Sequence, residues 1–93
     1  MRLKLPLNRH EAEVIALKAL AFLAADSERI SRFLSLSGVD PSDIRQAAEN
    51  PAFMGGILDY LRGDQSLLLE FSSGENIDPS RIDAAAYVLS GTP

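Results

Sequence analysis

Apolar residues recur at three- and four-residue spacing along most of the chain, and the polar residues between them are types that start helices. Asn8 precedes Glu11 by three positions, a variant of the capping box. Asp26 and Asp64 each stand before an apolar run, where an aspartate can accept a bond from an orphan backbone N–H and favour the positive helix end. Asp40-Pro41, Asn50-Pro51 and Asp78-Pro79 place a capping side chain ahead of a proline at the first helical position, where the missing N–H costs nothing. These starts predict helices over about 9–25, 27–36, 41–49, 51–62, 65–73 and 79–89, with Gly38 closing the second and Gly74 the fifth. The expected fold is all-α, a compact bundle of about six short helices forming a single domain over residues 9–93. Only residues 1–8 read as extended, an arm in which Leu3, Leu5 and Leu7 alternate with Arg2, Lys4 and Pro6.

Residues 20–48 align without gaps to residues 58–86, an offset of 38, with 11 identities in 29 positions. The sequence D-P-S-x-I-x-x-A-A occurs in both segments, at Asp40–Ala48 and Asp78–Ala86. The chain therefore reads as a duplication of a three-helix unit, with units at about 9–50 and 51–90, related by a pseudo-twofold. Phe33 and Phe71 each fall three residues after an aliphatic residue, Ile30 or Leu68, on one helix face. They should meet Phe22 or Tyr60 and the Ile44 or Ile82 of the third helix. The first helix, with Val14, Ile15, Leu17, Leu20, Phe22 and Leu23, is apolar over most of its circumference and should be central.

Charge sharpens this picture. The net charge is −4, but residues 1–10 carry +3 and residues 11–93 carry −7, so an acidic body follows a basic arm. An acidic body repels phosphate backbones, which argues against nucleic acid as a partner. The third helix offers a DNA groove one arginine, two acids and a glutamine, too little for a recognition helix. The longest uncharged stretch of the apolar N-terminal region is Ala19–Ala25, too short for a bilayer span and at the lower limit for a signal peptide, so a soluble cytoplasmic protein without membrane contact is expected. The absence of cysteine fits a reducing compartment and removes thiolate metal sites, thiol nucleophiles and disulfides. His10, the single histidine, falls in the first helical turn, an exposed place for a catalytic base. No acidic metal loop and no glycine-rich phosphate loop is present, and Asp40 with Asp43 reads as a cap with an acid in the first turn. The expectation is a protein that is not an enzyme and takes no cofactor and no metal.

Where two similar units differ, function has room to sit. Arg29-Ile30-Ser31 in the first unit is replaced by Leu67-Leu68-Leu69 in the second. With Leu68 in the core position, Leu67 and Leu69 point off the core face, to be covered by the fourth or sixth helix or to form a patch for a partner or a second copy. The arm, with Leu3, Leu5 and Leu7, is the second candidate contact: either a solvated tail or a segment that docks in a groove. Gly55-Gly56, inside the fourth helix, reads as close helix packing or a kink.

The stretches E-A-E-V-I-A-L-K-A-L-A-F-L-A-A-D, R-F-L, G-V-D-P, N-P-A-F and L-L-L-E-F, spanning about residues 9–90, give the chain its resemblance to an uncharacterised bacterial family of small all-helical proteins, domain-of-unknown-function family 3572. The resemblance implies the helical fold and carries no activity, cofactor or site residue with it. The functional expectation is a non-enzymatic helical module for protein–protein interaction, with an unknown protein partner or self-association as a dimer. The alternatives are a DNA-associated regulator acting through the basic arm and a small-ligand-binding protein with a pocket between the units.

Overall fold

The computed structural model describes residues 7–90. Their elements are α1 (Arg9–Ala24), α2 (Ser27–Ser37), a 3-10 turn (Pro41–Asp43), α3 (Ile44–Ala47), α4 (Pro51–Arg62), α5 (Gln65–Glu75) and α6 (Pro79–Ser90). All six expected caps form. Asn8 and Glu11 make the reciprocal capping box, with Asn8 Oδ1 accepting from the Glu11 N–H at 2.7 Å and Glu11 Oε1 accepting from the Asn8 N–H at 3.1 Å. The side chains of Asp26, Asp40, Asn50, Asp64 and Asp78 each accept from a backbone N–H two or three residues on, at 2.8–3.2 Å. Gly38 closes α2 in the left-handed region, φ 76°. Gly74 does not close α5. The helix continues through it to Glu75, and Asn76 takes the left-handed cap at φ 57°, a conformation asparagine also tolerates. The turn that follows is held by Ser72, a buried hydroxyl that donates to the carbonyl of Ile77.

The core is built by α1, α4 and α6, each packed on the other two, with α2 laid against α1 and α4, and α5 against α4 and α6. Small residues permit this close packing. The buried face of α1 is Ala12, Ile15, Ala16, Ala19 and Leu23, and that of α6 is Ile82, Ala85, Ala86 and Leu89. A Cβ added to Gly55 of α4 would lie 3.5 Å from Leu89 Cβ and from the Ser90 backbone nitrogen, so this glycine lets α6 lie close against α4. Gly56, one residue on, faces open space. Helix α1 packs on several neighbours, as a central helix should, but it is not buried around most of its circumference as expected. The alanines turn inward, while Val14 and Leu17 are 37% and 48% exposed. Sequence periodicity assigns the larger residues to the core; the close approach of α6 selects the smaller ones.

The aromatic residues lock the halves together crosswise. Phe33 of α2 meets Tyr60 of α4 at 5.2 Å, and Phe71 of α5 meets Phe22 of α1 at 5.4 Å, each geometry worth about 0.5–1.5 kcal/mol beyond its burial. Arg29 lies over the Phe22 ring at 5.0 Å and reaches Glu70 of α5 at 2.8 Å. Arg62 ties α4 to Asp83 of α6 at 2.8 Å. The third elements of the two halves are not alike. Ile82 is fully buried in a twelve-residue α6, whereas Ile44 is half-buried and opens a four-residue α3 that, like the 3-10 turn before it, buries no residue.

Candidate functional site

One ring cluster borders an open groove that neither α3 nor the 3-10 turn lines. Between the C-terminal half of α2 and the outer side of α4 runs an open groove of about 460 Å³ lined by Phe33, Leu36, Ser37, Val39, Ala52, Phe53, Gly56 and Tyr60. Its floor is aromatic: the Phe33 ring packs on Phe53 at 5.7 Å and on Tyr60 at 5.2 Å. Helical spacing explains the lining. Phe33, Leu36 and Ser37 form one stripe of α2, and Ala52 or Phe53, Gly56 and Tyr60 form the facing stripe of α4. Gly56 widens the groove, since no atom lies within 4 Å of where its Cβ would be. Leu36 stands at the wall with 72% of its surface exposed, the most exposed large apolar side chain among the described residues.

Beyond Val39 the surface turns acidic. A second hollow, which shares Val39 with the groove, is lined by Asp40, Asp43, Gln46 and Asn50. The Ser42 backbone N–H donates to the Asp40 carboxylate at 2.9 Å and the Ser42 hydroxyl donates at 2.8 Å, and these bonds hold the carboxyl below the ordinary aspartate range. Asp40 is therefore charged throughout the physiological range. The arrangement is an apolar trough with an anionic end. It can bury side chains and attract a cation.

The residues singled out by sequence fare differently. Leu67 is a correction: it is buried at 8% exposure, because α5 turns its Leu67–Phe71 stripe inward, with i,i+4 spacing, and holds Leu68 at the flank. Leu69 is exposed at 48%. Leu7 is also a correction as a contact residue. It is buried at 8%, at the position before the Asn8 cap, and Ala12, which a hydrophobic staple would join to it, is buried as well. Leu3 and Leu5 lie outside the described residues. His10 is exposed on the first turn of α1. Among the described residues no group of three or more His, Asp or Glu side chains gathers where a metal ion would sit.

The α2–α4 groove is the feature that sequence reasoning missed. One signal was legible: the second glycine of Gly55-Gly56, which helix packing does not need. The other was Leu36, a large apolar residue between serines near the end of a polar helix.

The fold and this groove define a small all-helical domain with an open apolar trough. The family model described as "Protein of unknown function (DUF3572)" matches residues 9–92, and the chain belongs to that family. No curated protein and no solved structure matches it. No helix among the described residues is long and apolar enough to cross a membrane.

Proposed function

We propose that this protein is a non-enzymatic interaction module that binds a short apolar segment of a protein partner in the α2–α4 groove. The observation that carries the reading is the trough itself: half-buried Phe53 and Tyr60 packed on the buried Phe33, beneath the projecting Leu36. Monomeric proteins do not commonly leave rings and a leucine grouped in one trough, and helix-in-groove recognition uses such troughs. The acidic end at Asp40 and Asp43 favours a segment with a lysine or arginine beside its apolar anchors. A cysteine-free chain fits a partner in a reducing compartment such as the cytoplasm. A small-ligand carrier needs an enclosed cavity, and this trough is open along its length. A DNA-associated regulator would act through an arm whose first six residues lie outside the described chain.

The test is selection from a random peptide library on the intact chain, followed by calorimetry of the selected peptides on wild type and Gly56→Leu. The added leucine occupies the groove, and replacing a helical glycine stabilises the fold by about 0.5–1 kcal/mol, so lost binding does not reflect unfolding. Expected are peptides with aliphatic or aromatic anchors next to a cation, whose affinity falls at least tenfold on Gly56→Leu. Peptides that bind both proteins equally, or no selected peptide at all, overturn the reading.

A further inference from the structure

The outward face of α1 carries a second regularity, unrelated to the groove. His10, Val14, Leu17, Ala21 and Ala24 recur at spacings of four, three, four and three, and all five are exposed. That spacing is the seam of a coiled-coil helix, the a and d positions of two heptads. The inward face of the same helix, Ala12, Ile15, Ala16, Ala19 and Leu23, is already used by the core. A helix that buries one face within its own domain has no internal need for a heptad seam on the other.

Charge beside the seam identifies its occupant. Glu11 and Lys18 each follow a seam residue by one position, on the same flank. In an antiparallel pairing that sets Val14 against Leu17 of a second copy, Glu11 lies beside Lys18 of that copy, and its own Lys18 beside the other Glu11. The twofold makes both pairs at once, so the surface is complementary to itself. Arg81 of α6 lines the same hollow as Glu11, Val14 and Lys18, adding a cation on the flank where the incoming Glu11 arrives. Glu11 uses one carboxylate oxygen in the capping box, leaving the other for the pair. A parallel pairing fits worse. It would rely on Glu13, which Arg9 already holds at 3.4 Å, would set two histidines side by side, and would align the helix dipoles. The antiparallel pairing opposes them.

We infer that this chain self-associates through α1 as an antiparallel twofold dimer, with Val14 and Leu17 at its centre and two Glu11–Lys18 pairs at its edge. The seam runs about 21 Å, from fourteen rises of 1.5 Å between residues 10 and 24. A two-heptad contact belongs to the small class, below about 1,200 Å² of buried surface, so the dimer is weak and fills at roughly 10–100 μM chain or above. It uses no groove residue, and either interaction can fail without the other.

The absence of cysteine allows a clean test. His10→Cys and Ala21→Cys, both exposed positions, are mixed in equal amounts and mildly oxidised. The antiparallel register sets residue 10 opposite residue 21, so the mixed disulfide should form well above its statistical share. Each variant cross-linking with itself instead would establish a parallel pairing and overturn the proposal. Sedimentation equilibrium up to several hundred micromolar is the second measurement. The wild-type mass should rise from 10.1 kDa toward twice that value, Leu17→Glu should remain at 10.1 kDa with an unchanged helical circular dichroism spectrum, and Lys18→Glu should weaken association severalfold. A wild type that stays monomeric, or a Leu17→Glu protein that dimerises as the wild type does, also overturns it.

Discussion

Asp40–Ala48 and Asp78–Ala86 share aspartate, proline, serine, isoleucine and two alanines at the same spacing, yet they build different structures. The first makes a 3-10 turn and four residues of helix that bury nothing; the second starts a twelve-residue helix with four buried residues. The start signal is the same in both: each aspartate accepts from the N–H of the serine two residues on, at 2.9 and 2.8 Å. What differs is the continuation. After Ala86 the helix runs on through Tyr87 and Val88 to Leu89, which is buried in the core; after Ala48 come Glu49, Asn50 and Pro51, which stop one helix and cap the next. A cap fixes where a helix begins, and the residues beyond the shared motif decide whether it reaches the core. α6 packs on α1 and α4 in the core, while no α3 residue lines the open trough of Phe33, Phe53 and Tyr60.

The largest expected effect tests this contrast directly. Ile82→Ala should destabilise the fold by about 2–5 kcal/mol, the range for a fully buried isoleucine, and Ile44→Ala by about 1 kcal/mol, both read as denaturant midpoints. Equal losses would mean that the two elements carry equal weight, and the contrast would fall.

The neighbouring glycines sharpen it at smaller scale. Gly55→Leu pushes side-chain atoms into Leu89 and Ser90 and should cost about 1–3 kcal/mol. Gly56→Ala meets nothing and should gain about 0.5–1 kcal/mol from helix propensity alone. Thermal melts separate the two; opposite signs at adjacent positions are the expected result.

The smallest effect is the acid response of Asp40. Its folded pKa lies below its unfolded value because the charged carboxylate accepts two bonds from Ser42. Its contribution to stability is therefore present above the unfolded value, near pH 3.9, and is lost as pH falls through the lower folded one. A carboxyl carbon titration by NMR should place the Asp40 midpoint below the ordinary aspartate value, and Ser42→Ala should move it upward.

The helix starts were legible because capping is local chemistry: an Asx side chain and an N–H two or three residues apart need no knowledge of the rest of the chain. All six caps read from sequence are present. The rotational phase of a helix was less legible. Leu67, Leu68 and Leu69 are equally apolar, so periodicity gives no preference among them, and only packing of α5 on its neighbours selects Leu67. On α1 the apolar residues around most of the circumference predicted burial on several sides, but Val14 and Leu17 are exposed and the alanines turn inward. The groove was illegible for a related reason. Phe33, Phe53 and Tyr60 fit an ordinary core pattern, so Gly56 and Leu36 were its only signals, and the trough depends on how α2 and α4 are set side by side.

The most direct measurement is chemical-shift mapping by NMR, with a library-selected peptide added to the wild-type chain. The ring signals of Phe33, Phe53 and Tyr60 and the methyls of Leu36 and Val39 should move together and saturate together, while those of Phe22, Phe71 and Ile82, none of which lines the groove, stay in place. Shifts centred on Phe22 and Phe71, or spread evenly over both ring pairs, would contradict the account.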